Sequence, residues 1–144
     1  MENMEGSFAI AAMVKNPALA RQAKVLLIDD DPLFRALMVR LGSSLGIDVE
    51  AYESIVEMEP FSRINDYDGA IFDYYLGLQD GMDIVSHLKP FFEKIPTILV
   101  SADADIQSVV TANPKSGVSA FAHKSLGAVK ILEQMRDLLA ISKQ

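Results

Sequence analysis

A chain of 144 residues, half of them apolar, is long enough to bury one core without a metal or disulfide staple. It has no cysteine, which excludes a disulfide framework, a thiolate zinc site and thiol catalysis, and its formal charge of −7 argues against a surface that displaces counterions from nucleic acid. The apolar stretch at residues 8–14 is too short to span a bilayer and follows Glu2 and Glu5 in place of a positive charge, so neither a membrane span nor a secretory leader is expected, and the cytoplasm is the expected compartment.

Residues 1–23 carry neither alternation nor turn logic that ties them to the rest of the chain, and read as a flexible tail or as a short helix over 9–14 docked on the domain or on a second copy. Lys24-Val-Leu-Leu-Ile28 is a continuous apolar run of the buried parallel-strand type, so the folded domain is expected over 24–144. Asp31-Pro32 reads as an N-cap with proline at the first helical position, and Leu33, Leu37, Leu41 and Leu45 then fall on one face of a helix that stops at Gly46. A second strand is expected over Ile47–Tyr52. A weak helix over Ser54–Ile64 should break or kink at Pro60, which lacks a backbone donor.

The third strand is Gly69–Phe72, followed by a helix over Met82–Phe92 interrupted at Pro90 and a fourth strand over Ile95–Val100. A short helix over Asp105–Ala112, a fifth strand over Gly117–Phe121 and a closing helix over Leu126–Ile141 complete the series, the last with Val129, Leu132, Met135, Leu138 and Leu139 as its apolar positions. Strands that alternate with helices require crossover connections, so five of each predict a doubly wound α/β fold with a parallel sheet.

Ligands of open α/β sheets bind outside the carboxyl ends of the strands, which directs attention to the residues directly after each apolar run. Here they are Asp29-Asp30-Asp31 after the first strand, Asp73 after the third, Ser101 after the fourth and Lys124 after the fifth. Carboxylates meeting in one crevice repel one another unless a cation neutralises them, and a hard divalent ion that keeps waters and accepts phosphate oxygens, magnesium, suits a few carboxylates best. Asp31 is sufficiently explained as the helix cap. His87 and His123 have no ligand partner at metal spacing and read as surface or packing residues.

Together these motifs resemble the receiver domain of two-component response regulators over residues 24–142. Val-Leu-Leu-Ile-Asp29-Asp30-Asp31-Pro is similar to the first strand with its acidic pair, and Ala-Ile-Phe-Asp73 with Asp80-Gly81 to the acceptor strand and its loop. Ile-Leu-Val-Ser101-Ala102 is similar to the hydroxyl strand, and Phe121-Ala-His-Lys124 to the aromatic and lysine positions. The resemblance implies a flavodoxin-like, five-stranded receiver fold. It also implies that Asp73 accepts a phosphoryl group from a sensor histidine kinase or a histidine phosphotransfer protein, with Mg2+ bound by Asp30 directly, by Asp29 through water, by Asp73 and by the backbone carbonyl of Tyr75. By the same resemblance Ser101 hydrogen-bonds the phosphoryl group, Ala102 keeps the approach open and Lys124 pairs with a phosphoryl oxygen. Ser101 and Phe121 then switch the face of the fourth helix, fifth strand and fifth helix, where a downstream protein or a second copy binds, with Ile106, Val109 and Val110 beside Phe121. Such a protein turns over no substrate and catalyses only its own phosphorylation and dephosphorylation; neither nucleic acid nor membrane is an expected partner.

Four positions depart from that pattern. Gly77 stands where proline is usual, Tyr74 and Tyr75 put two rings beside the acceptor, Phe121 lacks a hydroxyl, and Ser125 replaces the proline that usually follows the lysine. A cis bond before a residue other than proline costs about 2.5–4 kcal/mol. A trans Lys124–Ser125 bond is therefore expected, with the loop over 122–127 rearranged and Lys124 held less firmly near Asp73. Two other readings compete: a pseudo-receiver that binds partners without phosphorylation, and a haloacid-dehalogenase-type phosphatase suggested by the Asp-x-Asp of Asp29 and Asp31, which this chain's Leu33 and length disfavour.

Overall fold

The computed structural model describes residues 22–58, 61–74, 90, 94–103 and 117–142. Five strands, β1 (Ala23–Ile28), β2 (Ile47–Tyr52), β3 (Gly69–Asp73), β4 (Thr97–Ser101) and β5 (Ala120–His123), form one parallel sheet in the order β2-β1-β3-β4-β5. Helices α1 (Pro32–Ser44) and α2 (Ala128–Ser142) are the two α-helices of the described residues. The expected helices over 82–92 and 105–112 fall, apart from Pro90, outside those residues, as does the chain before Gln22. Among the described residues no helix is long and apolar enough to cross a membrane.

Every residue of β3 and β4 is buried, as is Val25–Ile28 of β1, because interior strands of a parallel sheet are covered on both faces. Strand pleating sends Val25, Leu27, Ile71, Ile98 and Val100 to one core with α1 and α2, and Leu26, Ile28, Ala70, Phe72 and Leu99 to a second core with Met58, Ile64 and Tyr67. The chain leaves β1 outward to β2 and returns across it to β3, so the strand order reverses between β1 and β3. Their carboxyl ends, carrying Asp29, Asp30 and Asp73, border the crevice created by that reversal.

The helical expectations need three corrections. The segment 54–64 divides on either side of Pro60, as expected of a residue that cannot donate to an α-helical ladder, but the two pieces, Ile55–Met58 and Phe61–Asp66, are 3-10 turns and not α-helix. On α1 the buried residues are Phe34, Met38 and Gly42, while Leu33 is 77% and Leu37 43% exposed. Residues four apart drift about 40° around an α-helix, so a stripe that starts at Leu33 reaches the core side only at Leu41 and Leu45, both half-buried against it. On α2, Ile131, which the expected apolar positions omit, is fully buried, and Val129, one of those positions, is 42% exposed.

Glycine matters at both ends of the α1–β2 connection. Gly46, at φ 77°, turns the chain out of the helix in the left-handed region open to glycine. Gly42 lets α1 approach β2: a Cβ there would lie 2.7 Å from Val49 Cγ2 and 3.0 Å from the Ile47 carbonyl oxygen. Gly42→Ala should gain about 1 kcal/mol of helix propensity. Because the backbone oxygen cannot yield as a side chain can, overpacking should outweigh that gain and leave a net loss of about 1–2 kcal/mol in urea unfolding. Unchanged or increased stability would show that α1 shifts freely on the sheet.

Candidate functional site

The site is built from four strand ends and the turns beyond them. After Ile28 the chain continues one more rung, Asp29 N donating to the Tyr52 carbonyl at 3.1 Å, and then enters α1. Asp29 is fully buried. Its Oδ1 accepts from Asp31 N at 2.8 Å, and its carbonyl accepts from Arg35 Nη1 at 2.8 Å. Asp31 is exposed and caps α1, its Oδ1 accepting from Leu33 N at 3.0 Å and Phe34 N at 3.4 Å, with Pro32 at the helix start as the sequence pattern predicts. Asp30 is exposed.

Asp73 ends β3 and is 6% exposed; the next rung, Tyr74 N to the Val100 carbonyl at 2.8 Å, holds its backbone against β4. Ser101 ends β4, fully buried, its Oγ accepting from Asp103 N at 2.9 Å while its own O–H remains a donor. Ala102 beside it is exposed. Phe121, half-buried, pairs in register with Leu99 and packs against the second core. Strand β5 runs to His123, two residues further than expected, so Lys124 opens a 3-10 turn (Lys124–Leu126) directly at the strand end. Tyr75, Gly77, Asp80, Gly81, His87, Ile106, Val109 and Val110 lie outside the described residues.

Lys124 Nζ stands 2.8 Å from Asp29 Oδ2 and 3.0 Å from Asp73 Oδ2, and 4.8 Å from the centre of the Phe34 ring. Burial by itself pulls the ammonium's pKa down, but attraction to Asp29 and Asp73 outweighs it and holds the pKa above its ordinary 10.5. Lys124 thus reaches both carboxylates although serine, not proline, follows it. Ser125 has what proline lacks, an N–H, which donates to His123 Nδ1 at 3.1 Å. His123 is accordingly a cap of the lysine turn, not a mere surface or packing residue. Phe34 and Arg35 are the site residues that sequence reasoning passes over; the signal for them is their place in the first turn of the helix that Asp31 caps.

Carboxylate oxygens of Asp29, Asp30 and Asp73 lie within 4.8 Å of one another. Asp29 Oδ2, though in ionic contact with Lys124, is buried and receives no aligned hydrogen bond. Three clustered carboxylates, one of them with an oxygen that lacks a hydrogen-bond donor, fit a small divalent cation, and Lys124, the one ammonium in contact with them among the described residues, leaves the cluster with net negative charge.

The model of the response regulator receiver domain family matches residues 25–136. The chain belongs to that family. This receiver domain of a two-component response regulator, with its acidic pocket, is 25% identical over 150 residues to the sensory/regulatory protein RpfC of Xanthomonas campestris pv. campestris, a match covering 99% of this chain and 20% of that protein. It is 30% identical over 132 residues to a gliding motility regulatory protein of Myxococcus xanthus, covering 90% of this chain and 17% of the other. The chain thus spans about a fifth of the length of these curated relatives. The fold matches the receiver domain of Francisella response regulator 1452 with a TM-score of 0.72 at 22% identity, over 84% of this chain and 99% of that one. It also matches the BeF3-activated N-terminal receiver domain of Klebsiella pneumoniae RstA with a TM-score of 0.67 at 21% identity, over 81% and 97% of the two chains.

Proposed function

We propose that this receiver domain accepts a phosphoryl group on Asp73 from the phosphohistidine of a sensor histidine kinase or a histidine phosphotransfer protein, in the cytoplasm and with Mg2+ as cofactor. The observation that carries the reading is a buried carboxylate, Asp73, at the end of the middle strand, facing Lys124 at 3.0 Å and two further carboxylates within 4.8 Å.

Asp29, Asp30 and Asp73, with the backbone carbonyl of Tyr75, would hold the magnesium ion. When bound, that ion offsets the charge of the carboxylates and of the incoming phosphoryl oxygens. The Asp73 carboxylate attacks phosphorus, the new O–P bond forms as the P–N bond to the donor imidazole breaks, and the departing nitrogen keeps the electron pair and takes up a proton. Lys124 stabilises charge on the transferring oxygens, a role that a fixed ammonium fills at little reorganisation cost. The Ser101 hydroxyl then donates to a phosphoryl oxygen, and Phe121 responds to its movement, shifting the population of a face that includes β5 and α2 and that a downstream protein or a second copy reads.

The wild-type chain, incubated with acetyl phosphate and Mg2+, should gain one phosphoryl mass, mapped to the Asp73 peptide and lost in hydroxylamine. Chelation of the metal should suppress the gain by about 10²-fold or more, the scale of a lost transition-state charge partner. A modification equally fast in chelator, or one mapped elsewhere, would refute the reading.

A further inference from the structure

His123 and Ser125 flank Lys124 with contacts that neither the sheet nor the charge cluster requires. His123 ends β5 with an extended backbone, φ −82° and ψ 138°, and caps the 3-10 turn that begins at Lys124. Its Nδ1 lies 3.1 Å from Ser125 N and 2.7 Å from Ser125 Oγ. A backbone N–H can only donate, so Nδ1 is the acceptor and the proton of the neutral ring sits on Nε2. On the far side Gly127, at φ 94°, closes the turn by donating its N–H to the Lys124 carbonyl at 3.1 Å.

The turn matters because of what its first side chain must do. Lys124 Nζ reaches two carboxylates at once, 2.8 Å and 3.0 Å away, from a flexible four-carbon stem. Such a side chain stays aimed only if the backbone it springs from is fixed. The stem starts between a capping imidazole and the serine N–H that the imidazole accepts. A proline at 125 could not supply that donor, so this lock is available to this chain because a residue other than proline stands there.

We propose that His123 and Ser125 are a positioning pair for chemistry at Asp73: by accepting the Ser125 N–H, the imidazole fixes the turn from which Lys124 reaches Asp29 and Asp73. The inference rests on the reading of Asp73 as phosphoacceptor. Neither residue touches the reacting atoms. Both act through the lysine.

Two substitutions at His123 and one at Lys124 test it, with two readouts: the rate of Asp73 phosphorylation from acetyl phosphate with Mg2+, and carbon-13 relaxation of Lys124 Cε without phosphodonor. His123→Ala should slow phosphorylation roughly three- to tenfold, the size expected of one lost capping bond, and lower the order of the lysine side chain. His123→Asn, whose side-chain oxygen can accept the N–H two residues on, should recover most of both. In a Lys124→Met background His123→Ala should cost nothing further, because the residue through which it acts is gone. An equal slowing in both backgrounds, or Lys124 order unchanged in His123→Ala, would overturn the proposal and leave the cap a purely structural feature. Should the wild type gain no phosphoryl group on Asp73, the proposed function fails and the positioning role with it, while the lysine relaxation still decides whether the imidazole fixes Lys124.

Discussion

Replacing Asp73 by asparagine is expected to abolish the phosphoryl mass gain while leaving the fold intact. The amide is nearly isosteric with the carboxylate, so the end of β3 keeps its packing, but a neutral amide offers phosphorus no anionic oxygen. Stability should change little because two electrostatic consequences oppose each other. Loss of the attraction to Lys124 at 3.0 Å destabilises the folded chain. Relief of repulsion from Asp29, whose carboxylate lies within 4.8 Å, offsets much of that loss, and solvent-screened Asp30 adds to the relief. Urea unfolding in the absence of magnesium should therefore place Asp73→Asn within about 2 kcal/mol of wild type. A phosphoryl mass on the Asp73→Asn variant would show that another group is the acceptor.

The site is legible in the sequence although no single residue of it is. Asp29, Asp73, Ser101 and Lys124 each come after an apolar run, and in an all-parallel sheet the ends of such runs share one edge, so topology alone gathers groups as far apart in the chain as Asp73 and Lys124. The interior strands are readable for the same reason, since burial on both faces makes residues 25–28 and 69–72 continuous apolar blocks. Strand β5 lies at the sheet edge with only Ala122 fully buried, so an apolar-run criterion places it three residues early and stops it at Phe121. The inward face of α1 is misplaced by one position because a leucine stripe and a Phe34–Met38 stripe are equally periodic, and only docking on β2 chooses between them.

The lysine turn is illegible for another reason. Reading Ser125 as a lost proline predicts a loosened Lys124, because a cis bond before serine costs about 2.5–4 kcal/mol and the trans bond expected in its place would rearrange the loop. What holds the turn is a hydrogen bond between a side chain and the backbone two residues on, a contact that depends on the φ and ψ of His123 and is invisible to periodicity or motif. The pseudo-receiver reading draws its support mainly from Ser125 and the two tyrosines. With Lys124 in contact with two buried acids, the serine no longer speaks for it.

Lys124→Met should separate the lysine's contribution to stability from its contribution to chemistry. Methionine retains much of the length and apolar character of the stem, so the main loss is the ammonium. Asp29, fully buried, and Asp73 then face each other with the cation between them removed. Deleting one partner of a buried pair costs about 3–5 kcal/mol; with 19% of the lysine side chain still meeting solvent, the lower end, about 3 kcal/mol, is expected at neutral pH. The pH dependence follows from the raised pKa. Below the ordinary 10.5 the ammonium is protonated in folded and unfolded chains alike and its full contribution is present; as pH rises through the still higher folded value the proton leaves and the contribution is lost. The stability gap between wild type and Lys124→Met should accordingly hold constant from neutrality to near 10.5 and narrow above it, read by urea unfolding at each pH. Phosphorylation at neutral pH should fall by about 10²-fold, as for loss of one preorganised charge partner in a transfer site. Added magnesium should restore part of the stability without restoring the rate, because a cation can offset the paired carboxylates but cannot stand where the ammonium meets the transferring oxygens. A variant as stable as wild type at neutral pH would mean that the two acids are solvated or protonated without the lysine, and a variant phosphorylated at the wild-type rate would remove Lys124 from the chemistry.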